Sequence, residues 1–497
     1  MGNGRGLLRL GVAKVDITPA SPVPLAGFAV RSGLGAYEGI SEQLYARIFV
    51  WDGDSSCAPP CNDGTVVGGE SSDDEACGRG GESGKGGACD RGGESGKDGA
   101  CGRGGESGEY GTGDSGGESS DDENGGVGSA GQLALLVSAD LLWWGSDRVP
   151  ALKRRIRERF GITEDAILLH GTHTHSGPQT SGRFTSYLGV MDAEYVYALE
   201  QRVLDGIAEA CRQLEPVRVE QASGQSPLGI NRRGIVQTPP DPGPVDHELR
   251  VIRFVREDGS AKGLLVHYAC HPVITRDNRV SAEYVGVAMG SVEQAVGGGA
   301  VAAFLQGTCG DINPGDGTQV LRGDHAAVTA VGEAFAECVL AALAGPMQES
   351  AACPLTWRKV SVELPLAPMP ERAALEVTAL AQGVLGEWSA IMLECYEALS
   401  PVIPLEITLL QLADGAVLLG MNAEIVVAYG LWIKSITGGA VLPMGYTNGM
   451  FGYIPTAQQL LEGGYETHES TLYFAMPASF DPAVEQVMKA GLRELLG

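Results

Sequence analysis

Three of the chain's eight histidines crowd one stretch, His170-Gly-Thr-His173-Thr-His175-Ser-Gly-Pro178, directly after an apolar run at 167–169. In extended backbone, residues two apart face the same side, so His173 and His175 are expected to point into one cavity. The Ser-Gly-Pro that follows turns the chain away and leaves the pair at a strand end, where ligand sites of α/β proteins lie. A further histidine, His271 in Cys270-His-Pro272, closes another strand-like run, because Pro272 has no N–H for the next ladder bond. Its neighbour His267 lies inside that run and is expected to be structural. The carboxylate of Glu424 stands before the apolar Ile425-Val-Val-Ala428, where burial without a cation is costly. Two neutral imidazoles and one carboxylate, each from a strand end, make a catalytic zinc set that leaves one position open for water. Each residue also has a plainer role open to it: a satisfied core histidine, or a glutamate favoured at a helix N-terminus.

A fourth polar segment, Thr308-Cys-Gly310-Asp311-Ile-Asn313-Pro314-Gly315-Asp316, follows a strand-like run at 301–305. Such a turn gathers amide groups in one space and can supply donors to an oxyanion, or can simply be a turn. Outside the Gly-rich stretch 53–130, neither a Gly-x-Ser-x-Gly elbow nor a phosphate-binding Gly-Lys-Ser/Thr occurs.

These groups need a scaffold that brings distant strand ends together. Apolar runs at 133–138, 167–169 and 301–305 predict buried strands. Asp258-Gly259 and Asp414-Gly415 each sit between apolar alternations and predict hairpins, 250–255 with 263–268 and 407–412 with 416–420. Ser146 is the expected cap of a helix whose Val149, Leu152, Ile156 and Phe160 keep a 3–4 spacing up to Gly161. Further helices are predicted at 193–214, 326–343, 371–399 and 482–496. The mixture predicts a mixed α/β (α+β) fold with partly antiparallel sheets.

The chain has 497 residues, 43% of them apolar, enough to bury a large core. Its 62 acidic residues outnumber 35 basic ones, a formal charge of −27 that suits neither a phosphate backbone nor an anionic membrane, so no nucleic acid is expected as partner. No run approaches the roughly 18 apolar residues of a membrane span, and no signal core follows Met1. No integral membrane segment and a cytoplasmic location are therefore expected. Of the 73 glycines, 25 fall within 53–130, beside 17 acidic and only 5 basic residues. Cys77, Cys89 and Cys101 mark a twelve-residue repeat there, a spacing that fits no zinc knuckle. A stretch with so little to bury cannot offset its backbone entropy, so 53–130 is expected to be a disordered insert.

Taken in order along the chain, the polar segments resemble the neutral/alkaline, non-lysosomal ceramidase family. The matching pieces are Val15-Asp-Ile-Thr-Pro19, Gly171-Thr-His-Thr-His-Ser-Gly-Pro178, Asn231-Arg232, His271-Pro272, Gly310-Asp-Ile-Asn-Pro314, Glu424, Gly452-Tyr453-Ile454 and Tyr465-Glu466. The resemblance implies one ceramidase-like catalytic domain formed by 1–52 and 131–497. It implies a zinc amidohydrolase that cleaves an N-acyl, ceramide-like amide of sphingolipid metabolism through zinc-activated water. The family's zinc ligands fall on His173, His271, Glu424 and Tyr453. Its other active-site groups fall on Arg232, which would hold a substrate oxygen, and on His175 and Tyr465, which would move protons.

Two departures from the family pattern shape the expectations. Asn313 stands where the family has an active-site serine, so attack by a serine oxygen is not expected here, and Asn313 is assigned to oxyanion stabilisation. The sequence also ends at Gly497 without the family's immunoglobulin-like domain. A small-molecule or lipid amide substrate is therefore expected. The alternatives are a zinc hydrolase of soluble amides or esters, and a catalytically silent, metal-stabilised binding protein.

Overall fold

The computed structural model describes residues 8–53, 133–234 and 243–497. The insert expected at 53–130 lies, from residue 54 onward, outside the described residues. Three sheets carry the fold. The first runs in the order Ile167–Gly171, Leu133–Ala139, Tyr45–Asp52, Arg9–Asp16, Glu215–Pro216. The second runs Val301–Gln306, Ala261–Tyr268, Glu248–Val255, Arg218–Gln225, Gln348–Glu349, and the third Thr356–Pro365, Val402–Ala413, Ala416–Met421, Val441–Met444. Both predicted hairpins are present as antiparallel pairs around their Asp-Gly turns. The fold class expected from the sequence, mixed helices and sheets with hairpins, is the one observed.

Layering explains the uniform apolar runs. Helix Ala193–Arg212 packs on Arg9–Asp16 and Tyr45–Asp52, while the opposite face of that sheet meets the second sheet. There Phe49, Trp51 and Phe254 form one fully buried aromatic cluster, with ring centres 5.8–6.2 Å apart. Helices Glu283–Val296 and His325–Ala344 pack on each other and cover the far face of the second sheet. A strand buried on both faces needs no polar side, which is why Leu133–Ala139 reads as a continuous apolar run.

Two local expectations are corrected. Ser146 does not cap the helix Val149–Phe160. Its hydroxyl instead bonds both the N–H and the carbonyl of Met450, and the helix starts with Pro150 in its first turn. The helix predicted over 371–399 is broken into Arg372–Thr378 and Val384–Glu394, because Gly383 takes a left-handed φ of 92° between them. His325–Ala344 is, among the described residues, the one helix long and apolar enough to cross a membrane by length and composition alone, a test that a core helix also passes. Its Val328, Phe335, Ala336 and Val339 are buried, and Glu333 and Glu337 lie on its exposed side.

Candidate active site

Each sheet contains one parallel strand pair, and all six carboxyl ends of those strands feed the same place. Ile167–Gly171 leads to His173 and His175, and its partner Leu133–Ala139 leads to Leu142 and Trp143. Ala261–Tyr268 leads to His271, and Val301–Gln306 leads to Asp311 and Asn313. Ala416–Met421 leads to Glu424, and Val441–Met444 to Tyr446. Buried histidines tie the sheets behind the site. His170 accepts the Gln306 N–H at 2.8 Å and bonds Thr447, while His267 bonds the Pro443 carbonyl at 2.9 Å. Burial pushes both rings down to about 3, so they stay neutral and structural, as expected for His267.

The histidines converge, though not by the period of a strand. His173 has a left-handed φ of 68°, so the chain has already left the extended conformation when it places the ring. This strained residue is 1% exposed and is held by its N–H on the Leu141 carbonyl and by Tyr446, stacked on its ring at 3.9 Å. The Nδ1 atoms of His173, His175 and His271 bond the carbonyls of Leu142, Gly27 and Ile312 at 2.9–3.0 Å. Carbonyls only accept, so each Nδ1 carries the proton and each neutral ring turns a bare Nε2 inward. His173 Nε2 and His175 Nε2 then stand 3.1 Å apart. Glu424 Oε1 lies 2.8 Å from His271 Nε2 and 3.4 Å from His173 Nε2. Gly27 is required for this packing, since a Cβ there would come within 2.7 Å of the His175 ring.

Lone pairs facing one another at such distances need a cation between them. Burial opposes a proton as that cation: it lowers His175 well below its ordinary value, helped by His173 and His271, and takes His271 to about 4 despite Glu424. Burial alone would raise the Glu424 carboxyl, but positive charge at His173 and His271 more than offsets it and holds it well below the usual carboxylate range, so a cation shared with those rings keeps it ionised. Neutral imidazoles oriented by backbone carbonyls, with an ionised carboxylate, are the forms in which these side chains bind metal. The group His173, His175 and His271 could hold a metal ion. Tetrahedral zinc with bonds of about 2.0–2.1 Å keeps its ligands roughly 3.3 Å apart, so the residues present fit that ion.

Beside this group lies a fixed positive charge. Arg232 bonds Glu466 at 2.8 Å, the Asn313 amide oxygen at 3.3 Å and the Tyr453 hydroxyl at 3.2 Å. Burial would weaken its charge, but Tyr453 and Glu466 reverse that and raise its pKa well above the ordinary value. With its oxygen turned to Arg232, Asn313 has its NH₂ group free for another acceptor. The turn that carries Asn313 is anchored by the buried Asp311, which accepts from the N–H of Val427 and from the amides of Asn231 and Gln459 at 2.8–3.2 Å. Tyr465 lies at the mouth, 36% exposed, with its ring 5.6 Å from that of Tyr453.

No family model matches the chain. It is 24% identical over 213 residues to neutral ceramidase A of Dictyostelium discoideum, and 27% identical over 165 residues to the neutral ceramidase of Pseudomonas aeruginosa. Those alignments cover 38% and 30% of this chain, and 30% and 24% of the relatives' own length. The crystal structure of the Pseudomonas aeruginosa neutral ceramidase matches 99% of this chain and 73% of that one, with a TM-score of 0.67 at 17% identity. The fold is that of neutral ceramidase.

On this ceramidase-like fold the residues singled out in the sequence fall together. His173, His175, His271 and Glu424 share one cluster, and Arg232 joins Asn313 and Tyr453 beside it. Two placements differ in kind from the expected roles. His175 brings its Nε2 among the ligand-capable atoms, where the sequence suggested a proton carrier, and the hydroxyl of Tyr453 is engaged by Arg232. Four contributors were missed: Glu466, Tyr446, Asp311 as an anchor, and Phe28, whose ring lies 4.9 Å from that of His175. Glu466 belongs to the matched Tyr465-Glu466 and Asp311 lies inside a matched motif, so both were within reach. Nothing in the sequence near Phe28 or Tyr446 marks them.

Proposed function

We propose that the protein is a zinc-dependent amidohydrolase acting on N-acyl, ceramide-like amides. The observation that supports this most is the inward trio of Nε2 atoms with Glu424, set beside the charged Arg232 and Asn313. In this reading His173, His271 and Glu424 hold the ion with Tyr453 as the neighbouring candidate, and the Nε2 of His175 is left for proton transfer. Bound zinc would supply a Lewis acid for the scissile carbonyl and make water acidic near neutral pH.

The chain's own residues do the rest. Arg232 stays charged and, with the free NH₂ of Asn313, offers donors to the oxygen that gains negative charge as the carbonyl becomes tetrahedral. Glu466 fixes the guanidinium plane, so those donors need not reorganise during the reaction. His175, with Nδ1 locked on Gly27, has only Nε2 available to receive a proton and to return it to the leaving amine. Trp143, Phe184 and Phe474 pack with ring centres 5.1–5.6 Å apart near His173 and give the site an apolar side for an acyl chain.

The test is elemental analysis of the purified full chain, paired with a hydrolysis screen over ceramide and shorter N-acyl amides. The expected result is about one zinc per chain, and amide cleavage that a chelator abolishes and zinc restores. Zinc binding without cleavage of any amide or ester would leave a metal-stabilised binding protein as the outcome and end the hydrolase reading.

A further inference from the structure

The approach to His175 is lined by arginines. Arg31 and Arg276 hold their guanidinium carbons 5.0 and 5.6 Å from the centre of the Phe28 ring, which packs on His175. Arg31 is buried and commits its donors to the Ser176 hydroxyl and to backbone carbonyls, those of His175 and Asp277 among them. Arg276 and Arg322 are exposed. Arg322 donates to the carbonyl of Val273, two residues beyond His271. Among the described residues, neither Arg276 nor Arg322 has a carboxylate at ion-pair distance.

In a chain with 62 acidic and 35 basic residues, two unpaired arginines close to a third are unexpected. Partial burial, and then the charges of Arg276 and Arg232, bring Arg322 down to about 10, so these guanidinium groups feel one another. Arg232 is already matched by Glu466, whereas Arg276 and Arg322 are not. A second wall, beside Arg232, is uncharged. Ring centres step from Tyr453 to Tyr465 to Tyr473 at 5.6 and 6.1 Å, and Phe474 lies 5.7 Å from Tyr453. A molecule satisfying both walls has an apolar chain on one side of the amide and an anion on the other.

We propose that the preferred substrates are N-acyl amides whose amine half carries a carboxylate, that is, N-acyl amino acids, with Arg276 and Arg322 receiving the carboxylate and the tyrosine wall the acyl chain. This rests on the amide-hydrolase reading and narrows its substrate class. A guanidinium suits the task because its planar donors match a carboxylate two by two. Hydrolysis breaks the C–N bond, places the oxygen of water on the acyl carbon and a proton on the amine, and releases a fatty acid and an amino acid.

The experiment compares N-lauroylglycine with its neutral counterpart N-lauroylglycinamide, in the native chain and in the double variant Arg276→Gln/Arg322→Gln. The expected kcat/KM favours the carboxylate by about tenfold or more in the native protein, and the ratio falls to roughly one in the variant. Calorimetric binding of a non-cleavable thioether analogue, with a terminal carboxylate or carboxamide, should show the same preference and the same loss. Equal kcat/KM values, or equal affinities for the two analogues, would overturn the proposal while leaving amide hydrolysis intact. Carboxylate-selective binding that the variant loses, without cleavage of any amide, would support the arginine receptor and refute the hydrolase reading alone.

Discussion

His173 and His175 face each other through atoms that carry no proton when neutral, because both opposite ring nitrogens are tied to carbonyls. That arrangement is stable only around a cation, which gives a direct test. His173→Ala and His271→Ala should each lower zinc from about one per chain to a small fraction after dialysis, since losing one ligand cripples such a site. Full zinc retention in both variants, read by elemental analysis, would rule out the assignment. Among the described residues, Asn313 bonds the Arg232 side chain and none of the ligand-capable groups, so it separates chemistry from metal. Asn313→Ala should leave zinc unchanged and reduce turnover roughly ten- to a thousandfold, the cost of one oxyanion donor. Glu424→Gln should affect both, because it removes charge at the cluster itself. An Asn313 variant with native turnover would remove the residue from the mechanism. The histidines, Glu424 and the turn of Asn313 were legible because polar groups at strand ends stand out against apolar runs, whereas Arg232 and Tyr453 were reached only through the family resemblance. The left-handed turn at His173 was not, since no glycine or asparagine announces it, and Tyr446 and Phe28 read as ordinary core residues.

The secondary-structure elements act in pairs, each parallel pair delivering two loops to one spot, and the hairpins hold those pairs at fixed register. The strands and hairpins were readable from apolar runs and Asp-Gly turns. Which carboxyl ends would meet was not readable, because it depends on how three sheets abut. Helix Glu283–Val296 supplies a prediction at this scale. Glu283 begins it, fully buried with φ 58°, and its carboxylate accepts the N–H groups of Thr275 at 2.8 Å and Tyr284 at 3.3 Å. Burial outweighs those bonds and lifts its pKa from 4.5 to about 7. The folded state therefore binds this proton more tightly than the unfolded chain. The associated stability is present below pH 4.5 and is lost as pH rises through about 7. Native protein should lose on the order of 3 kcal/mol from this group between those limits, and Glu283→Gln should remove that part of the slope. Urea denaturation at pH 5 and pH 8 measures it. A native-minus-variant difference that is the same at both pH values would show that Glu283 is ionised throughout.

At the scale of the whole molecule, the connection between Tyr45–Asp52 and Leu133–Ala139 sets the last test. Tyr45–Asp52 and Leu133–Ala139 are neighbours in the first sheet, antiparallel, with Asp52 directly opposite Leu133 and the register unbroken to Ala46 opposite Ala139. Two strand ends paired face to face can be joined by a tight turn, so the ladder does not need the long segment between them. That segment holds the Gly-rich acidic repeat and none of the residues placed at the candidate site. Replacing 54–132 by a Gly-Ser turn of about four residues should keep the fold, the zinc and the turnover. Closure entropy changes by about 0.6 kcal/mol per doubling of length, and the shortening spans a little over four halvings. The variant should therefore gain up to about 2–3 kcal/mol. Its net charge would also be less negative, because the removed stretch is rich in acidic residues and poor in basic ones. Thermal melting with elemental analysis decides the matter: an unchanged or higher Tm with full zinc is expected. A variant that loses zinc or melts markedly lower would show that 54–132 contributes contacts to the fold, and would return the segment's acidic residues and cysteines to the search for function.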